Sequence, residues 1–184
     1  MPPHDAANQH LHQLLHQFRT TMLNTRGEDN HLRSHPMAMV FPPHKDLLEG
    51  ASHDDVVYLL ACEDTSKVDD IRRDNHVNLA FQSSSTWVSL CGQADIVKDR
   101  ALLEKLWDDS MFAWFPQGVD TPALVLLRVR LHQGEYWDQS SLTDKVKFYF
   151  ESGLAYIHRR GSHASALGTH ERVQLAPAAA AVSQ

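Results

Sequence analysis

Apolar residues recur along this chain with two different periods, and the switches between them mark out its elements. Leu11, Leu14, Leu15 and Phe18 fall at helical spacing, which predicts a short amphipathic helix over residues 8–18. Thr20 to Thr25 reads as a strand, Arg26–Asn30 as a turn, and His31–Val40 as a second strand at hairpin distance. Phe41–Asp54 carries Pro42, Pro43 and Gly50 among polar residues and reads as a surface loop. An apolar β run, Val56–Cys62, comes next. Ser66 with Asp69 forms a capping-box pattern that opens a short helix ending near Arg73. Val77, Leu79 and Phe81 alternate with small or polar residues, as in a half-buried strand. In the following strand Val88, Leu90, Gly92, Ala94 and Ile96 share one face, and Ser89, Cys91, Gln93 and Asp95 the other. Leu103, Leu106, Trp107, Met111 and Trp114 predict one amphipathic helix, stopped near Pro116–Gly118. Val125, Leu127, Val129 and Leu131 alternate in a long strand that runs towards Trp137. Leu142, Val146, Phe150, Leu154 and Ile157 predict a last helix. Residues 159–184, rich in Ala, Ser, His and Gly, read as a disordered tail.

The resulting order is α-β-β-β-α-β-β-α-β-α. Strands follow one another at hairpin distance and do not alternate regularly with helices. That disfavours a doubly wound parallel sheet and favours a mainly β, α+β architecture: a small antiparallel barrel decorated by helices, in one domain over residues 8–158.

Composition narrows the function classes. The 184 residues suit one domain, and 42% hydrophobic with 22% charged residues is ordinary for a globular protein. A net charge of −6 with interspersed signs argues against a nucleic-acid binder, though not against a local phosphate site. No apolar run approaches the roughly 18 residues of a membrane span. The N-terminus shows no secretory pattern, and the two cysteines, Cys62 and Cys91, have no metal-type spacing; together these point to the cytoplasm. Both thiols fall in strands and read as small buried hydrophobes. Thirteen histidines raise the question of a metal, but no HExxH or Cys/His array accompanies them, so no metal is expected. GxSxG, GxGxxG and P-loop motifs are likewise missing.

Two segments carry candidate chemistry. Thr65, Ser66 and Lys67 lie between a strand and the first turn of a helix, where unpaired amides and the helix dipole favour an anion. A lysine there opposes the dipole, which makes better sense with a bound phosphate; a plain Ser cap beside an exposed lysine is the alternative. In the strand Arg33-Ser34-His35-Pro36-Met37, alternation places Arg33, His35 and Met37 on one face and Ser34 and Pro36 on the other. Pro36 implies an edge or bulge, where freed backbone groups can meet a ligand, and Met37 offers an apolar platform.

Taken in order, several runs carry a resemblance. They are His-Leu-Arg-Ser-His-Pro-Met at 31–37, Asp-Thr-Ser-Lys-Val-Asp-Asp-Ile at 64–71 and Asn-His-Val-Asn-Leu-Ala-Phe at 75–81. Trp-Val-Ser-Leu-Cys-Gly-Gln-Ala at 87–94, Leu-Trp at 106–107, Trp-Phe-Pro-Gln-Gly at 114–118 and Tyr-Trp-Asp at 136–138 complete the series. Over residues 10–155 the chain resembles the general stress protein branch of the pyridoxamine 5′-phosphate oxidase-like, FMN-binding split-barrel superfamily. The resemblance implies a six-stranded split barrel and a homodimer with flavin at the interface. It implies that Arg33, Ser34, His35, Pro36 and Met37 line the ring and ribityl chain, and that Thr65, Ser66 and Lys67 hold the phosphate. Ser89 then approaches the ring edge, and Trp107, Trp114, Phe115 and Trp137 close the pocket; core packing is the alternative for Trp107 and Trp114. FMN is the cofactor implied, with FAD as the variant. The function implied is a stress-type flavoprotein, either an oxidoreductase of a small molecule or a flavin-binding, sensing or storage protein. His35 stands where relatives often carry a second arginine. No clear counterpart of the C-terminal Arg/His set of true pyridoxamine phosphate oxidases is present.

Overall fold

A computed structural model describes residues 3–40, 56–139 and 169–174. In chain order it contains α1 (Pro3–Leu15), β1 (Thr20–Arg26), β2 (Leu32–Val40), β3 (Val56–Cys62), α2 (Ser66–Arg73), β4 (His76–Gln82), β5 (Thr86–Val97), α3 (Arg100–Leu106), β6 (Leu124–Asp138) and β7 (Thr169–Gln174). The strands hydrogen-bond in the order β3-β2-β1-β4-β5-β6-β7, and β3 also pairs with β6. That last pairing closes six antiparallel strands into a barrel, as the order of elements predicted. The loop expected at 41–54 and the helix expected at 142–157 lie outside the described residues.

Alternation decides what enters the barrel. Leu23, Met37, Met39, Leu59, Leu79, Leu90, Leu127, Val129 and Leu131 point inward and are buried. Leu11, Leu14, Leu15 and Phe18 of α1 and its exit turn join this core, as do Val68 and Ile71 of α2. Phe18 meets Phe81 near the start of β1, whereas α2 packs beside Thr25 near its end, so the two helices cover opposite ends of the barrel. The unbroken apolar run of β3 is explained by burial on both faces. Val57, Leu59 and Ala61 look into the barrel, while Tyr58 and Leu60 meet Ala38, Val40, Leu103, Leu106, Met111 and Leu126 in a second core under α3.

The β1–β2 hairpin turns through Gly27–His31, with the Gly27 amide donating to the His31 carbonyl at 2.8 Å. Asn30 adopts φ 64°, a left-handed conformation that asparagine tolerates. β6 is 15 residues long and serves two neighbours on one edge: its first half pairs with β3, and Gln133–Asp138 pairs with β7. On its other edge it follows β5 throughout, with a register shift between Cys91 and Gly92 that leaves His132 as the extra residue.

Three local readings need correction. The helix expected across Leu103–Trp114 ends at Leu106. Trp107 is extended, the Asp108 carboxylate accepts from the Ser110 amide at 2.9 Å, and a separate 3-10 turn runs Asp109–Ala113. Local side-chain capture of an amide competes with helix continuation, and it wins here. At α2 the cap is Thr65, one residue earlier than expected, and Asp69 bonds Arg72 at 2.7 Å instead of closing a capping box. In the expected tail, residues 169–174 form a strand: Val173 is buried against the barrel and Arg172 pairs with Glu135. Short, charged and with a single inward apolar residue, this segment has the composition of an edge strand, which resembles that of a tail.

Among the described residues no helix is long and apolar enough to cross a membrane. Cys62 is half-buried, and Cys91, expected to be buried, is exposed because it falls on the outer face of β5.

Gly92 is the tightest point of the bulge. A Cβ there would lie 2.2 Å from the Arg130 carbonyl oxygen, a main-chain atom that cannot rotate away. Gly92→Ala is therefore expected to destabilise the barrel by about 1–3 kcal/mol, the usual range for overpacking. Urea unfolding should show a lower midpoint with an unchanged slope.

Candidate functional site

The two candidate segments meet at the α2 end of the barrel. β2 presents Arg33 and His35 there, in register with Thr25 and Leu23 of β1, and α2 brings Lys67 and Asp70 over the same end. Asp70 is buried at 3% exposure and accepts a hydrogen bond from the Thr25 hydroxyl at 3.0 Å. Arg33 reaches it at 3.9 Å and Arg73 at 3.6 Å. His35 Nε2 lies 3.3 Å from the same Thr25 hydroxyl. Burial holds the His35 imidazole below its ordinary pKa; the Lys67 charge acts in the same direction, Asp70 opposes, and Arg33 again lowers it.

Charge pairing at this end is uneven. Arg26 is matched by Asp74, Arg33 by Asp29 and Asp70, Arg72 by Glu63 and Asp69, and Arg73 by Asp70. Lys67, half-buried in the first turn of α2, has no carboxylate partner among the described residues. It sits where the helix dipole already contributes positive potential. The Val68 and Asp69 amides turn back to the Thr65 carbonyl, at 2.9 and 3.2 Å. Thr65, expected from the sequence to share in holding a phosphate, here donates its hydroxyl hydrogen to the Cys62 carbonyl at 2.7 Å. Ser66 is exposed at the first helical position and keeps that role open. The candidate donor set for an anion is thus the Lys67 and Ser66 side chains, the Ser66 and Lys67 amides that precede those bonded to Thr65, and His35. It suits a phosphate: one uncompensated cation, neutral donors and a convertible imidazole.

The other face of β2 looks outward. Ser34 donates to Asn24 Oδ1, Asn24 Nδ2 to Asn78 Oδ1 at 3.1 Å, and Asn78 Nδ2 to Ser89 Oγ at 2.8 Å. This polar ladder crosses β2, β1, β4 and β5. Next to it lies a groove of about 380 Å³ bounded by Met22, Pro36, Ala80, Trp87, Ser89 and Trp137. Trp137 stacks against His170 of β7, with ring centroids 4.7 Å apart and planes 4° from parallel. Pro36 and His35 are consecutive, about 3.3 Å apart along the strand, so β2 is the common wall of the groove and the anion site. Met37, expected to provide a platform, turns into the barrel core at 4% exposure, since it shares the face of His35 one step deeper.

The remaining aromatic candidates gather elsewhere. Trp107 and Trp114 border a cavity of about 610 Å³ with Arg19, Thr20, Ala38, Val40 and Met111, at the opposite end of β2 from Arg33. Trp107 packs edge-on to Phe112, Phe115 is half-buried at the margin of the second core, and Trp114 is 55% exposed. Within one chain they do not reach the anion site. Thr20 borders both cavities and is the link between them.

Sequence reading missed Thr25, Asp70, Asn24 and Asn78. Thr25 carried a signal, being a polar residue in the inward register of Thr21 and Leu23. Asp70 carried a fainter one, an acid set between the core positions Val68 and Ile71. Asn24 and Asn78 looked like ordinary outward polar residues until the strand order placed them side by side.

Comparison with known proteins agrees with this architecture. A family model described as pyridoxamine 5′-phosphate oxidase like matches residues 6–160. The protein bli-3 of Neurospora crassa is 32% identical over 83 residues, which span 40% of this chain and 40% of that protein. A general stress FMN/FAD binding protein from Xanthomonas citri superposes with a TM-score of 0.58 at 25% identity, covering 74% of this chain and 92% of that one. A Clostridium acetobutylicum protein related to general stress protein 26, of the pyridoxinephosphate oxidase family, gives 0.60 at 22% identity, covering 74% and 91%. With five-sixths of its length matched by the family model and six antiparallel strands closed into a barrel, this chain belongs to the pyridoxamine 5′-phosphate oxidase-like family.

Proposed function

We propose that this protein is a flavin-binding protein of the general stress type that takes up FMN. Its phosphate is held at Lys67, Ser66 and His35, and its ring lies in the groove beside Pro36, Ser89 and Trp137. The observation that carries this reading is Lys67 at the start of α2, without a carboxylate partner among the described residues, whereas the neighbouring Arg26, Arg33, Arg72 and Arg73 each have one. The outer groove supports the ring assignment: its walls are apolar, and the Ser34–Asn24–Asn78–Ser89 ladder offers hydrogen-bonding groups along one side. FAD shares the same phosphate and ring and is the related ligand of the Xanthomonas citri protein. When bound, the flavin supplies the electron chemistry; the chain supplies charge, orientation and shielding from water.

The reading includes a homodimer. Met22, 39% exposed, lines the outer groove, and Leu32, 70% exposed, lines a second cavity beside Asn24 and Asn78; a second copy against this face covers both and encloses the ring. The Trp107–Trp114–Phe115 group reaches a flavin on this reading only from a partner subunit. Two free thiols, one of them exposed, suit a reducing cytoplasmic setting.

Purified natively, the protein should be yellow, elute as a dimer and bind FMN at micromolar concentration. A colourless protein that takes up neither FMN nor FAD rejects the proposal. Lys67→Ala is expected to weaken FMN roughly 10- to 100-fold, the loss of one charge-assisted contact, while riboflavin changes little. Equal loss for both in isothermal titration removes the phosphate from Lys67. Bleaching by NADH or NADPH with reoxidation in air identifies an oxidoreductase, and a flavin that stays oxidised identifies a carrier or sensor.

A further inference from the structure

Asp70, Thr25 and His35 form a line of hydrogen bonds from a buried carboxylate to the edge of the anion site. Each link has one consistent polarity. The Thr25 hydroxyl carries a single hydrogen and donates it to Asp70 Oδ2 at 3.0 Å. At 3.3 Å from His35 Nε2, the same oxygen can then only accept, so Nε2 carries the ring's hydrogen. Nδ1 is left as the nitrogen that gains or loses a proton, and no partner for it is present among the described residues.

We propose that Thr25 and Asp70 are positioning residues that hold His35 as its Nε2–H tautomer, so that Nδ1 takes up a proton when a phosphate binds beside Lys67. The proposal rests on the flavin-phosphate reading above and adds to it a coupling between cofactor binding and pH. Three groups of charge face His35 in this region. Lys67 and Asp70 come from α2, and Arg33 comes from its own strand with Asp29 of the hairpin turn behind it; Arg73 is drawn to Asp70 on the far side. In the free protein, burial and Lys67 oppose protonation of His35. A phosphate dianion next to Lys67 reverses that balance, and the new Nδ1–H becomes a charge-assisted donor to it.

The sign of the effect follows. A ligand that favours the protonated imidazole binds more tightly as pH falls from above the bound-state pKa to below the free-state one, by at most about tenfold per pH unit. The phosphate of FMN itself titrates near pH 6, so the informative quantity is the ratio of wild-type to His35→Gln affinity, from which that ionisation cancels.

The test has two independent arms. In the FMN-free protein at pH 8, imidazole ¹⁵N resonances assigned to His35 by their loss in His35→Gln should show the Nε2–H tautomer. Thr25→Val should release the ring to a mixture, and Thr25→Ser should restore it. In the second arm, FMN and riboflavin affinities are measured between pH 6 and 8.5. The wild-type to His35→Gln ratio for FMN should rise several-fold towards pH 6, Thr25→Val should flatten that rise, Thr25→Ser should recover it, and riboflavin should show none. An Nδ1–H tautomer in the wild type overturns the positioning role. Parallel FMN profiles in wild type and His35→Gln overturn the coupling, and a Thr25→Val protein that matches wild type in both arms removes Thr25 from it. If the tautomer is as expected but FMN fails to bind at any pH, the flavin reading falls while the positioning role stands.

Discussion

The pairing of β3 with β6 is the interaction on which the rest depends. Seven residue pairs, from Val56 opposite Arg130 to Cys62 opposite Leu124, join β3, the first strand of the sheet order, to β6, the sixth, and turn an open sheet into a barrel. Closure gives the inward residues of all six strands a common interior, and it leaves two ends to be covered, which α1 and α2 do. It also sets where α2 begins. β3 leaves the barrel at Cys62, and three residues later Thr65 opens the helix, its hydroxyl tied back to the Cys62 carbonyl. The start of α2, and Lys67 with it, is therefore anchored to the strand that closes the barrel.

Much of this was legible in the residues themselves. Period-two alternation located β4, β5 and β6, the turn at Arg26–Asn30 located the β1–β2 hairpin around it, and the apolar run located β3, because burial on one or both faces writes itself directly into side-chain type. Less legible were features decided by a single polar contact. Asp108 ends a helix that Leu103, Leu106 and Met111 would continue, and Thr65 spends its hydroxyl on its own turn. β7 has one apolar inward residue, Val173, too few to register as a pattern. For the site, Arg33–Met37 and Thr65–Lys67 were visible as two separate segments. That His35 and Lys67 face each other, with Asp70 and Thr25 behind them, depends on the helix-to-strand packing and not on any local run.

The site combines two environments on one strand. Arg33 and His35 of β2 face the end of the barrel, where charge is concentrated, while Ser34 and Pro36 face the outer side, where a mostly apolar groove has a polar rim. A ligand with an ionic end and a flat aromatic end meets both by lying across β2, without either environment having to compromise. The same alternation that builds the core therefore also divides the labour of binding.

β7 has a consequence beyond adding a strand. Without it, the second half of β6 would leave the amides and carbonyls of alternate residues between Gln133 and Asp138 unpaired, next to Trp137 and Tyr136, an open template on which another chain could polymerise. With it in place the outermost rim among the described residues is a short segment bearing His170, Glu171 and Arg172. Charged side chains on so brief a rim resist intermolecular ladder growth. The last described segment of the chain thus guards this edge against aggregation, and its His170 stacks upon Trp137, keeping that ring out of the hazard as well.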